Sequence, residues 1–236
     1  MSEDGGADRE ERSRPANRYS LFVGLAFIAL VVIATVNTLR TRDDGILGGS
    51  STEPGAPLAE FAVPDLRGDT PGDANVYQDD CATSSNPCPS DDRRTPACRV
   101  EIAEIIRVCD LFDRPLVISF WFTEGADCLP AQDAVDRVAR RYGDRVNFLS
   151  INVRDDRDAA RQIVDERGWS IPAGYDADGA VSNLYRVGVC PTVAFAYPGG
   201  LLAFARIGTD AVTEAALGRD VGRLLDESRA RALEDR

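Results

Sequence analysis

The sequence predicts an α/β fold: a central mixed β-sheet flanked by helices, following a transmembrane helix and interrupted by a Cys-rich insert. Three observations predict it. From residue 115 onward, apolar runs of strand type alternate with segments of helical period in the order β-α-β-α-β-β-α. The last two strands flank Gly199-Gly200, a hairpin signal that makes them antiparallel and the sheet mixed. Far upstream, LFVGLAFIALVVIATV (21–36) is apolar apart from Gly24 and Thr35.

Taken in order, residues 1–18 form a polar N-terminal tail. Residues 19–39 follow, about 20 residues, enough at about 1.5 Å each to cross a hydrocarbon core of about 30 Å. No A-x-A-like cleavage site follows, so an uncleaved anchor is expected rather than a signal peptide. Arg9, Arg12, Arg14 and Arg18 precede the span and only Arg40 and Arg42 follow closely. The positive-inside rule then expects a cytoplasmic N-terminus and a C-terminal domain outside the cytoplasm. The six cysteines all lie on that outer side, as an oxidising compartment favours.

Residues 40–57 are Gly-, Ser- and Pro-rich and read as a flexible linker, with a folded domain expected over 58–236. Within it, 67–98 is polar and carries Cys81, Cys88 and Cys98, an insert needing disulfides or flexibility because it can bury little apolar surface. VEIAEIIRVCDL (100–111) has apolar residues at helical spacing and predicts a helix with Cys109 near its end. PLVISFWF (115–122) is a buried strand. DCLPAQDAVDRVARRY (127–142) is a helix stopped by Gly143, RVNFLSINV (145–153) a strand, and RDAARQIVDERG (157–168) a helix closed by Gly168. PTVAFAYP (191–198) and LLAFARIG (201–208) make the hairpin, and 210–233 a final helix.

Composition narrows the chemistry. The net charge of −12 argues against a nucleic-acid partner. Every basic residue is Arg, so neither His nor Lys can act as base, Schiff-base amine or imidazole ligand. Arg-only basic usage with abundant Ala and Asp fits a GC-rich bacterial genome. Cys81, Cys88, Cys98 and Cys109, spaced x6, x9 and x10, lack the paired steps of a zinc ribbon and read as two structural disulfides of undetermined connectivity. Asp176-Ala-Asp178-Gly179 lacks the later ligands of a calcium loop and reads as a turn before a short helix. The acidic run 155–158 reads as a solvated loop and helix start, and Trp121 and Trp169 as core or rim aromatics.

LAEFAVPDLRG (58–68), and after the insert RPLVISFW through SINVRDD, GWSIPAGYDADGAVSNLYRVGVCPT and YPGG-LLAFARIG, resemble membrane-anchored thioredoxin-like proteins of the TlpA/redoxin type. The resemblance implies a thioredoxin-like fold with a cis-proline at Pro191. It also exposes departures. Where the family carries Trp-Cys-x-x-Cys after Phe120-Trp121, this chain has Glu124 in place of the Trp and Gly125 in place of the attacking cysteine; Cys128 keeps the second position. The acidic residue that assists proton transfer is replaced by Ser119. A CxxC mechanism needs both thiols.

The resemblance places the cis-proline loop against the active-site helix, and so Cys190 near the missing thiol. The candidate catalytic set is Cys128, Cys190 and Pro191, with Trp121, Thr123, Glu124 and Gly125 as neighbours. In it Cys128 forms the mixed disulfide, Cys190 resolves it and Pro191 shapes the groove. Three states stay open: a redox pair, a structural bond, or two buried thiols. The expected function is a divergent thiol-disulfide oxidoreductase acting on exported protein thiols or disulfides with a redox partner protein, needing no cofactor or metal. The alternatives are a non-catalytic thioredoxin-like binding module and a thiol peroxidase using Cys128 alone; against the last, Thr123 lies five residues before Cys128, not three.

Overall fold

The computed structural model describes residues 23–24, 26–33, 55–76, 95–123 and 128–234. The chain divides into two units, Met1–Asp44 and Gly45–Arg236. In the first, residues 23–24 and 26–33 are helical and exposed, Val23, Phe27, Leu30 and Ile33 among them. About half of the expected span 19–39 lies outside the described residues, and among those described no helix is long and apolar enough to cross a membrane.

The second unit holds two sheets. Three short strands, β1 (Phe61–Pro64), β2 (Asn75–Val76) and β3 (Ile105–Arg107), form an antiparallel sheet in the order β2-β1-β3. The larger sheet is built from β4 (Leu116–Trp121), β5 (Asn147–Val153), β6 (Ala173–Asp176), β7 (Thr192–Tyr197) and β8 (Leu201–Ile207), in the order β6-β5-β4-β7-β8. β4, β5 and β6 are parallel, and β7 and β8 antiparallel, so the sheet is mixed. The helices are α1 (Leu129–Tyr142), α2 (Arg157–Arg167), α3 (Ala180–Leu184) and α4 (Glu214–Glu234).

Alternation along the strands assigns the two faces. Val117, Phe148, Val193, Phe195 and Ala203 meet Val135 and Val138 of α1 and Leu217, Val221 and Leu224 of α4. On the opposite face Ile118, Phe120, Leu149 and Ile151 pack on Phe61 and Val63 of β1 and on Val181 and Tyr185 at α3. Tyr185 is buried and its hydroxyl donates to the Ala59 carbonyl at 2.7 Å. Both Asp176 oxygens receive backbone amides of α3, from Val181 at 3.0 Å and Ser182 at 2.8 Å, so the Asp-x-Asp-Gly stretch is a helix cap.

The N-terminal stretch runs across this sheet. Residues 55–58 bond to β8 and to Gly200 just before it: Gly55 N–H donates to the Leu202 carbonyl at 2.6 Å, Leu202 N–H to the Ala56 carbonyl at 2.8 Å, and Leu58 N–H to the Gly200 carbonyl at 2.7 Å. Beyond β1, Asp65 bridges Gly174 and Leu66 N–H donates to the Ala173 carbonyl at 2.7 Å, reaching β6. The folded part therefore reaches back to Gly55, into the stretch read as linker. Arg157 donates to the carbonyls of Asp65, Gly68 and Thr70, and Arg161 to those of Leu66 and Gly68, fastening this loop to α2.

One element differs from expectation. Residues 100–111 are not a helix: Glu104 takes φ 55°, then β3 pairs with β1, and Val108–Leu111 form a 3₁₀ turn. The Glu104 carboxylate accepts the Asp69 and Thr70 amides at 2.7 Å and 3.2 Å, which pins the reversal. β-branched Ile105 and Ile106 gain cross-strand partners that a short helix would not give them.

Candidate functional site

The site forms at the C-terminal ends of β4 and β5, where open α/β sheets place their ligands. β4 ends at Trp121, and the chain is then anchored by Asp155, whose carboxylate accepts the Thr123 amide at 3.0 Å, its hydroxyl at 2.8 Å and Asn152 Nδ2 at 2.7 Å. Glu124 and Gly125 lie outside the described residues. The described chain resumes at Cys128, the N-cap residue of α1, with Pro130 in the first turn.

Cys190 enters from the other side. It precedes Pro191 through a cis peptide bond, and the Pro191 carbonyl accepts the Gly208 amide at 2.9 Å. The Thr192 hydroxyl donates to the Val189 carbonyl at 2.7 Å. The structure joins Cys128 to Cys190 in a disulfide, with Cα atoms 5.7 Å apart, inside the span of about 4.4–6.8 Å that the bond allows. Cys128 is 1% exposed and Cys190 8%. Cys190 Sγ lies 3.8 Å from the Phe120 carbonyl, an acceptor for the thiol once reduced.

Trp121, Trp169, Ala160 and Val164 form the wall behind the bond. The two indoles meet edge to face at 5.1 Å, and Trp169 Nε1 donates to Asp133 at 2.7 Å, itself paired with Arg167. Both tryptophans are core residues. Ser119, Gln132 and Asn152 are buried polar residues in this half of the sheet and α1; Ser119 Oγ, Gln132 Nε2 and Asn152 Oδ1 have no hydrogen-bond partner among the described residues. A surface hollow of about 450 Å³ opens beside the start of α1, lined by Pro130, Ala131, Ala134, Thr209, Val212 and Thr213. At its rim Glu214 bonds Arg137 at 2.8 Å and Arg141 at 3.0 Å, and these guanidinium bonds, Arg137 foremost, hold its carboxyl below the usual range.

The chemistry available is thiol-disulfide exchange. A thiolate at the N-cap of α1 faces the positive end of the helix dipole. The sequence assigns Asp155 to a solvated run and not to the site; the structure differs. Asp156 does cap α2, accepting the Ala159 amide, while Asp155 turns inward and is buried.

The second group of cysteines sits elsewhere. Cys98 and Cys109 form a disulfide with Cα atoms 5.7 Å apart, while Cys81 and Cys88 lie outside the described residues.

No protein-family model matches the chain. Over 96 residues it is 24% identical to the thiol-disulfide oxidoreductase ResA of Oceanobacillus iheyensis; the match covers 40% of this chain and spans 50% of that curated relative's length. A solved structure of a candidate thiol:disulfide interchange protein DsbE from Chlorobium tepidum superposes with a TM-score of 0.54 at 14% identity, over 74% of this chain and 99% of that one. The thioredoxin domain of a thiol-disulfide oxidoreductase from Bacteroides vulgatus gives 0.51 at 12% identity, over 74% and 99%. The fold is thioredoxin-like; what it does is a question for its site.

Proposed function

We propose that this thioredoxin-like chain is a divergent thiol-disulfide oxidoreductase of TlpA/redoxin type, tethered by residues 19–39 and working outside the cytoplasm. Its redox pair is Cys128 and Cys190 in place of CxxC. One observation carries the reading: the disulfide that spans from the α1 N-cap to the residue before Pro191. Tethering and location rest on the apolar run and the arginine asymmetry around it.

The exposures favour Cys190 over Cys128 as the sulfur that meets a substrate, the reverse of the order the sequence suggests. A substrate thiolate attacks Cys190 Sγ, the Cys128–Cys190 bond breaks, and Cys128 leaves with the electron pair. The α1 N-terminus stabilises that leaving thiolate, which makes it a better leaving group. A second substrate thiolate then attacks the substrate sulfur of the mixed disulfide and expels Cys190, and both cysteines take protons from solvent. The substrate dithiol has become a disulfide and the protein pair a dithiol. Run backwards, the same steps reduce a substrate disulfide. Exported protein thiols or disulfides are the substrate class, the hollow beside Pro130 seats their chain, and a redox partner protein resets the pair.

The test is a redox titration of the full chain in detergent, with disulfides mapped by mass spectrometry at each potential. Reversible opening of Cys128–Cys190 between about −120 and −270 mV, the range of catalytic dithiols, is expected. Cys128→Ser and Cys190→Ser are each expected to abolish dithiol turnover. A bond that stays closed below about −300 mV would sink the proposal. That outcome belongs to a second reading, favoured by the burial of both cysteines: a non-catalytic module that binds an extended peptide beside Pro191.

A further inference from the structure

We propose that reduction of the Cys98–Cys109 disulfide opens a divalent-metal site made of the two thiolates and the Glu60 carboxylate. The ligand atoms of these three residues lie within 4.8 Å of one another. A four-coordinate zinc ion, with Zn–S about 2.3 Å and Zn–O about 2.1 Å, sets its ligand atoms about 3.6–3.8 Å apart. Once the bond opens, the sulfurs must part to about 3.8 Å, which side-chain rotation across a Cα separation of 5.7 Å allows, and a water completes the fourth position.

The backbone is built to keep this geometry when the bond opens. Each ligand is partly buried and stands next to a residue that is 0% exposed: Glu60 beside Phe61, Cys98 beside Ala97, Cys109 beside Val108. β1 packs against both 3₁₀ turns that carry the cysteines, Ala97–Arg99 and Val108–Leu111, and those turns pack on each other. Three separate elements thus hold the three ligands in place by core burial and not by the disulfide alone.

Glu60 supplies the second observation. In a chain with 27 Arg residues its half-buried carboxylate has no ion-pair or hydrogen-bond partner among the described residues. Against a closed disulfide that carboxylate is tolerable, because the bond is neutral. Once the thiols ionise, three anionic groups share one small volume, and a dication is the partner that relieves them. Two sulfur ligands and one oxygen suit Zn²⁺ better than the hard cations Mg²⁺ or Ca²⁺.

The step balances simply. The disulfide takes two electrons and two protons from a dithiol reductant, which becomes a disulfide. The metal then displaces both thiol protons to solvent. The site exists in the reduced chain alone, so metal occupancy would report the redox state of its surroundings. This site is independent of whether Cys128–Cys190 is catalytic.

The experiment uses the full wild-type chain in detergent, reduced with a phosphine, with and without Zn²⁺ alone. Alkylation rates are read cysteine by cysteine by mass spectrometry. Zn²⁺ is expected to slow alkylation of Cys98 and Cys109 together by at least about tenfold, and Glu60→Gln to weaken the Zn²⁺ concentration dependence by at least about tenfold, since losing a ligand costs no less than losing a ligand's outer partner. Glu60→Asp is expected to restore part of it. Co²⁺ in place of Zn²⁺ is expected to give a sulfur-to-metal charge-transfer band, absent from the oxidised chain. Protection of neither cysteine, protection confined to Cys81 and Cys88, or protection that Glu60→Gln leaves unchanged would each overturn the proposal.

Discussion

Asp136 lies in the middle of α1, 1% exposed, and accepts the Ser170 amide at 2.6 Å, the Ser170 hydroxyl at 3.0 Å and the Arg140 guanidinium. Burial by itself pushes this carboxyl up; the Ser170 and Arg140 bonds outweigh it and hold the group below the usual carboxylate range. Its stabilising contribution is complete above the unfolded value near pH 4 and is lost as pH falls through the lowered folded value. Asp136→Asn is expected to cost about 1–3 kcal/mol at pH 7, with the gap from wild type narrowing below about pH 4. Urea unfolding at pH 7 and pH 3 measures both, and a gap that does not narrow refutes the assignment. Sequence periodicity marks Val135 and Val138 as a stripe but says nothing of Asp136, whose partner Ser170 comes from a distant loop. Asp155 escaped notice for the same reason: its partner Thr123 is remote in sequence. The candidate cysteines were legible only because a family pattern supplied the missing position.

At the scale of elements, helical period found α1, α2 and α4, and apolar runs found β4, β5, β7 and β8, because each buries a regular stripe. β6 was not legible: Ala-Gly-Tyr-Asp has neither alternation nor β-branched residues. Its glycine is demanded from outside, since a Cβ on Gly174 would collide with Val63 of β1 and come within 2.9 Å of Ile151. Gly174→Ala is therefore expected to destabilise by about 1–3 kcal/mol through overpacking, and Val63→Ala in the same chain to recover part of that loss. Thermal denaturation of both variants checks this, and an unchanged melting temperature for Gly174→Ala would show that the two strands can part at no cost. The 100–111 stretch failed in the other direction. Its helical spacing is real, but cross-strand pairing with β1 and the reversal at Glu104 override it.

For the molecule as a whole, the two disulfides among the described residues differ in reach. Cys128–Cys190 closes a sequence separation of 62 and Cys98–Cys109 one of 11. By loop-closure entropy the first restrains the unfolded chain by about 4 kcal/mol and the second by about 3 kcal/mol. With Cys81, Cys88, Cys98 and Cys109 all replaced by Ser, reducing the Cys128–Cys190 bond is expected to lower the unfolding free energy by about 4 kcal/mol, read as a shift in urea midpoint. No shift would mean that the bond does not tie the fold together. At this scale the layered α/β plan is legible, while the hydrogen bonds of residues 55–58 to the start of β8 are not. Gly55 to Pro57 look like linker because Gly and Pro are poor strand formers, yet they bond to β8.

Those bonds have a further consequence. Within a dozen residues the chain closes part of β8, crosses the sheet as β1, and closes part of β6. β6 and β8 are the two margins of the five-stranded sheet. An unsatisfied margin recruits a strand from another molecule, the first step of fibre growth. This one short stretch is thus a guard against polymerisation on both sides at once, and a chain clipped after Leu66 would lose both guards in a single cut.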